Sequence, residues 1–205
     1  MTTALRSRLR EATGTAILEA AEQIAARDGT SRASLHAIAE HAGVAVGTIY
    51  NYFRHKQELF DVLFKRRSDE LFEAMAEAET KHAGDPFSGQ LHAFVRAIFD
   101  TFDAHRAFFS MALDGCPTAM PENDCQKAQM IRRLEEHARR ILVLGIREGQ
   151  LHHENDVDLL AAILVSIVRG TLHFRAQSSE PCAPHVTCTV SLFLEGAART
   201  VIATG

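Results

Sequence analysis

Residues 34–56 read SLHAIAEHAGVAVGTIYNYFRHK, two short helical patterns joined by a glycine-centred turn. A serine side chain accepts a hydrogen bond from the free N–H groups of a helix start, and Ser34 stands just before Leu35, Ile38 and Ala39, which share one face at i, i+3, i+4 spacing. A helix is therefore expected over 34–41. Gly43 closes it in a left-handed conformation, and Val44 fills the angle to a second helix expected over about 45–53. With Val44, Ile49 and Phe53 turned inward, Ala45, Val46, Gly47, Thr48, Tyr50, Asn51 and Tyr52 are left to face another surface. Tyr50 and Tyr52 are the only two tyrosines in 205 residues. A phenolic hydroxyl on a rigid ring reaches a phosphate oxygen well, and small residues at a helix start let the backbone sink into a major groove. Two arrangements fit the window: a DNA-reading helix-turn-helix, or a tight helical hairpin whose tyrosines are core.

Working outward, Ala16, Ile17, Ala20, Ala21, Ile24 and Ala25 form a stripe at helical spacing that Asp28-Gly29 stops, giving a first helix over about 8–27 and a three-helix head. Arg6, Arg8 and Arg10 precede it as a basic segment that reads either as a loose arm onto DNA or as solvated charge. Downstream, Leu59, Val62, Leu63, Leu71, Phe72 and Met75 keep a helical period over 57–79, and Gly84-Asp85-Pro86 ends the run. At about 1.5 Å per residue that helix spans some 30 Å, so a tilt at its far end carries Lys56 and the head with it. Further helices are expected near 87–103, 105–114, 125–149, 156–177 and 184–203, with no β alternation. The fold class is all-α: a helix-turn-helix domain over 1–55 and a larger helical domain over 56–205.

Composition describes a globular chain, 46% hydrophobic and 23% charged. The net charge of −4 divides unevenly: residues 1–67 hold ten Lys or Arg against seven acids, and the remainder twelve against nineteen. A mildly basic head on an acidic body suits a protein that presents one end to phosphates. The longest apolar stretch, Leu159 to Val168, is ten residues between Asp158 and Arg169, so a buried helix rather than a membrane span is expected. The N-terminus shows no apolar signal core, and the chain is expected in the cytoplasm.

Phe87, Phe94, Phe99, Phe102, Phe108, Phe109 and Met111 crowd bulky side chains into 25 residues. They read as core, or as a group beside the loop Gly115–Pro121 they wall a pocket for a hydrophobic or aromatic effector. Phe94, Ile98, Phe102, Phe108 and Met111 are the candidate walls, with Arg132, His137 and His173 as polar anchors; His92, Asp114 and Arg175 are further options. On the last two helices, Leu159, Ile163, Ile167, Gly170 and Phe174, and then Val186, Val190, Phe193, Ala197 and Val201, form apolar stripes. Two such helices from each of two chains make a four-helix dimer interface. Cys116, Cys125, Cys182 and Cys188 lack paired zinc spacing, and structural thiols are expected, with oxidation at Cys116 and Cys125 as the alternative. His152-His153 with Glu154 and Asp156 reads as solvated rather than as a metal site, and no cofactor is expected. No phosphate-cradling glycine loop, Gly-x-Ser-x-Gly elbow or His-Glu-x-x-His occurs, so no enzyme is indicated.

The head resembles the TetR family of one-component transcriptional repressors in Ser34, Ile38-Ala39, Gly43-Val44, Gly47-Thr48-Ile49-Tyr50-Asn51-Tyr52-Phe53 and Lys56. The likeness runs over about 50 residues to Leu63; beyond it only length and helical layout match. It implies phosphate contacts at Ser34, Thr48, Tyr50, Tyr52 and Lys56, and base reading at His36, Ala45, Val46 and Asn51. Ala45 and Val46 depart from the charged or amide residues of many members and offer only apolar contact, for instance with a thymine methyl. The function implied is a homodimeric repressor that binds a palindromic DNA operator and is released by a small-molecule effector. The alternatives are an activator, a thiol sensor, or a helical ligand-binding protein or enzyme that does not read DNA.

Overall fold

The computed structural model describes residues 3–113, 126–152, 154, 156–178 and 180–197. Asp114, Gly115, Cys116, Pro121, Cys125, His153 and Val201, and the side chains of Met111 and Ala197, lie outside the described residues. The described residues form nine α-helices and no strand. They divide into two compact units, Met1–Ser68 with Ala107–Ala112, and Asp69–Arg106 with Leu113–Gly205.

In the first unit, α1 runs Thr3–Asp28, α2 Leu35–His41 and α3 Val46–Tyr50. The basic segment at residues 6–10 is thus helical, not a loose arm. Ser34 Oγ accepts the Ala37 N–H at 3.1 Å, as the serine at that position demands. Gly43 sits at φ 67°, where a Cβ would be strained; its N–H reaches the Glu40 carbonyl (3.2 Å) and the Val44 N–H the Ala39 carbonyl (2.9 Å). That pair of bonds stops α2 and turns the chain into α3. The core closes on Ile17, Ile24, Ile38, Ile49 and Phe53, all buried.

The next helix, α4, runs Lys56–Lys81. Its first half belongs to the head, so the head extends past the boundary expected at 55/56. The cause is packing: Leu59 and Leu63 are fully buried, and Arg67 sends Nε (2.9 Å) and Nη2 (2.6 Å) to Glu22 Oε2 on α1. Arg66 donates to the Thr15 hydroxyl at 3.0 Å. Phe108 and Phe109, on α6 (Arg106–Leu113), also join this unit, with Phe108 edge-on to Phe64 at 5.5 Å between ring centres.

The second unit holds the rest of α4, α5 (Phe87–Ala104), α7 (Gln126–Arg147), α8 (Val157–Ala176) and α9 (Val186–Ala197). Its core is Phe87, Leu91, Val95, Phe99, Leu142, Leu164 and Val190, none with measurable exposure. Gly145 lets α7 approach α5: a Cβ there would stand 2.9 Å from the Phe87 ring. The connection from α8 to α9, ending in a 3-10 turn at Ala183–His185, is pinned by Asp103 and Arg106. Asp103 Oδ2 accepts the Cys182 and Ala183 N–H groups (2.6 and 3.3 Å), and Oδ1 accepts Arg106 Nη2 at 2.5 Å. Arg106 donates onward to the carbonyls of Arg175, Ser178 and Glu180 at 2.7, 2.8 and 2.7 Å.

Candidate nucleic-acid interface and effector cavity

The first candidate face is the outer side of α3. On α3, Ile49 is turned inward while Tyr50 keeps 56% of its surface exposed, and Ala45, Gly47 and Asn51 are exposed beside it. Val46 and Thr48 are half-buried, and His36 on α2 is exposed. Gly47 has an ordinary helical backbone, and a Cβ added there would meet no atom within 4 Å. Nothing in the protein requires glycine at that point, although glycine inside a helix costs about 0.5–1 kcal/mol relative to alanine.

Tyr52 departs from the expected outward pair. It is half-buried, its ring lies 3.5 Å from where a Gly14 Cβ would stand, and its centre is 6.2 Å from that of Phe53. The reason is helical rotation: Tyr52 lies past the end of α3, where the chain bends back against α1. Lys56 donates to the Ser31 carbonyl at 2.9 Å, so part of its hydrogen-bonding capacity ties the α1–α2 connection to α4.

The second unit contains a narrow cleft of about 10 Å³, room for little more than a water molecule, lined by Met75, Ala78, Glu79, His82, Gln90, Phe94, His137 and Ile141. Met75, Phe94 and Ile141 give it an apolar floor. Of the eight side chains expected to line a pocket, Phe94 and His137 are there. Ile98 and Phe102 are buried, Arg132 and His173 face solvent, and Phe108 belongs to the other unit. Among the other options, Arg175 pairs with Glu180 at 2.5 Å and His92 bonds the Ser88 carbonyl at 2.7 Å, so neither joins it.

His137 occupies the polar side of the cavity. Arg140 Nη2 stands 2.6 Å from His137 Nδ1; an arginine only donates, so Nδ1 accepts and the neutral ring carries its proton on Nε2. Phe72 stacks on the imidazole at 5.8 Å, and the Arg133 guanidinium lies 3.6 Å from the centre of the Phe72 ring. Burial first, and then Arg140, hold His137 below its ordinary 6.5; Glu79, 3.5 Å away, opposes them weakly. A histidine depressed on folding leaves the unfolded chain with more bound protons below pH 6.5. The stability that comes from keeping His137 neutral is complete above that value and is lost as pH falls through the lower folded value. Denaturant midpoints measured from pH 7.5 to 5 should therefore fall more steeply for the parent chain than for His137→Gln.

The apolar faces of α8 and α9 do not run as expected throughout. Leu159, Ile163 and Phe174 are exposed (58, 41 and 74%) and Ile167 is half-buried, in one stripe past Gly170. Val190 and Phe193 are instead buried within the chain, because α9 turns that face onto its own unit; Leu192, 61% exposed, and Gly196 face outward. The expected buried helix is thus buried on one face only, and α8 is long and apolar enough by length and composition to cross a membrane. Cys182 is buried, and burial with the nearby Asp103 carboxylate raises its thiol to about 11, a state that resists oxidation; Cys188 is exposed. Among the described residues no three metal-binding side chains gather.

Residues 17–63 match the family model described as bacterial regulatory proteins, tetR family. The chain is 30% identical over 167 residues to the HTH-type transcriptional repressor BepR of Brucella suis biovar 1 (strain 1330), covering 77% of this chain and 78% of that one. It is 39% identical over 61 residues to the fatty acid metabolism regulator protein of Bacillus subtilis (strain 168), 30% of this chain and 31% of the relative. Among solved structures it is similar to the transcriptional regulator FadR of Bacillus subtilis, determined in complex with stearoyl-CoA. The TM-score is 0.74 at 20% identity, over 89% of this chain and 98% of that one.

Proposed function

The chain belongs to the tetR family of bacterial regulatory proteins and is a DNA-binding transcriptional regulator, and we propose that it acts as a homodimeric repressor released from its operator by a hydrophobic small molecule. The observation that carries this reading is the outer face of α3, where exposed Ala45, Tyr50 and Asn51 surround Gly47, a glycine the protein itself does not need. Tyr50, Thr48, Ser34 and Lys56 hold phosphates; His36, Ala45, Val46 and Asn51 meet base edges. The protein acts in the cytoplasm. Two heads read half-sites of a palindrome about 34–36 Å apart. The exposed stripe of Leu159, Ile163, Ile167 and Phe174, with Leu192 and the open positions Gly170 and Gly196, supports pairing of two copies through α8 and α9.

The effector enters the cavity of the second unit, beside Phe94, His137 and Met75. The stearoyl-CoA bound by FadR supports a fatty acyl compound as the class, and such a ligand enters by parting α4, α5 and α7 around the narrow cleft. The second half of α4 lines the cavity, and its first half is bolted to α1 through Arg67 and Glu22. Occupancy tilts α4 and biases the heads against the operator; a coupling of about 1–3 kcal/mol gives a 5- to 150-fold loss of affinity.

Selection of bound fragments from random duplex DNA, read at two salt concentrations, tests the reading directly. A palindrome with half-site centres one turn apart is the expected result, and enrichment of nothing would reject it. Gly47→Ala then tests the face. It should stabilise the isolated protein by about 0.5–1 kcal/mol while weakening operator binding at least tenfold; unchanged affinity would move the DNA face elsewhere.

A further inference from the structure

The first helical turns of α1 carry Arg6 and Arg10 on one face, four residues apart, and Arg8 on the opposite face. Arg10 is exposed, yet it is not loose. Its guanidinium lies 5.2 Å from the centre of the Tyr52 ring, and Nη2 donates to the Asn51 carbonyl at 3.4 Å. Asn51 is the C-terminal cap of α3, and the Tyr52 ring is itself pressed against α1 at Gly14. Three other arginines of this unit meet carboxylates, Arg27 at Asp28, Arg67 at Glu22 and Arg54 4.0 Å from Glu58, while Arg32 donates to the Asp28 carbonyl and Arg66 to the Thr15 hydroxyl. Arg10 instead touches a carbonyl and an aromatic face, which orient a guanidinium without neutralising it. An exposed, oriented and uncompensated guanidinium at the end of the recognition helix is a seat for an anion of fixed position, and its planar fork matches a phosphate.

We propose that Arg10 is a DNA phosphate contact, held in register with α3 by Tyr52 and the Asn51 carbonyl, and that Arg6 extends the same strip one turn outward. This makes α1 a third element of the interface, beside α2 and α3, and lengthens the protected DNA on the outer side of each half-site. The proposal rests on the assignment of α3 to DNA.

The test is the salt dependence of operator affinity for the parent protein, Arg10→Ala, Arg10→Lys and Arg8→Ala. A lost phosphate contact lowers the slope of log affinity against log salt by about one per head. Arg10→Ala should show that drop equally on operator and on unrelated duplex, while Arg10→Lys should keep most of the slope. Arg8→Ala removes the same charge from the far face and should leave it unchanged. A purely structural role for Arg10 would weaken binding without changing the slope, and a general charge effect would make Arg8→Ala equal to Arg10→Ala; either result overturns the proposal. A parent protein that binds no duplex would reject the DNA assignment of α3 itself, and with it this extension, whereas normal parent binding with an unaltered Arg10→Ala slope rejects the extension alone.

Discussion

Arg67→Ala is expected to destabilise the head by about 3–5 kcal/mol, enough to leave a large fraction unfolded in a protein whose total stability lies in the usual range of about 5–15 kcal/mol. Both partners of the Arg67–Glu22 pair are nearly enclosed, with side-chain exposures of 7 and 9%. Two guanidinium N–H groups converge on a single carboxylate oxygen, so removing arginine takes two charge-assisted hydrogen bonds from a carboxylate that water scarcely reaches. The pair itself need not be a net source of stability, since its desolvation offsets much of its attraction. Replacing both partners by apolar residues of similar length, Glu22→Leu with Arg67→Met, should therefore cost less than Arg67→Ala alone. Urea unfolding of the two single variants and the double variant measures this. Equal losses in Arg67→Ala and in the double variant would show that the ion pair acts through its geometry rather than through the hydrogen bonds its carboxylate loses.

Asp103→Ala should cost about 2–4 kcal/mol, less than the enclosed pair because Asp103 and Arg106 each keep about a fifth of their side chain in contact with water. Three interactions are lost together: the Arg106 ion pair and the N–H groups of Cys182 and Ala183. Arg106, without its carboxylate, then holds the three carbonyls of the α8–α9 connection less firmly. The local consequence is readable apart from global stability. Cys182 is buried and its thiol is held up near 11, so it should resist alkylation in the parent protein and react at a measurable rate in Asp103→Ala. If the unfolding midpoint fell while Cys182 stayed protected, the network would be stabilising the unit without pinning the connection.

Which of these features the sequence discloses depends on how far the determining contacts lie apart. The Ser34 cap, the Gly43 turn and the helix boundaries are set by neighbours within a few residues, and the apolar periods of α1, α4, α5 and α8 place those helices to within a few residues. The outward face of α3 is legible for the same reason. Tyr52 is not, because its position depends on Gly14, 38 residues earlier, and neither is the extension of α1 back from residue 8 to Thr3, which takes in Arg6. The cavity draws its lining from α4, α5 and α7, so a cluster of phenylalanines close in sequence pointed to only part of it. Met75, Ala78 and Glu79 follow a helical period on α4, a signal that existed but is indistinguishable from ordinary core patterning before α7 is packed against it. Val190 and Phe193 lie on the face of α9 that packs within its own unit, and which apolar face of a helix meets its own unit rather than a second copy is decided by packing, not by period.

The recognition helix has just five residues and is too short to be stable by itself, so it takes its shape from Ile49 and Phe53 beneath it. The residues that would touch DNA, at 45, 47, 50 and 51, contribute little to that anchorage. The surface proposed to choose the operator is thus nearly independent of the surface that keeps the head folded. Mutations can accumulate on the first without eroding the second, which gives duplicated copies of such a gene an open route to new target sites. A library randomised at those four positions should consequently contain mostly folded proteins with differing DNA preferences.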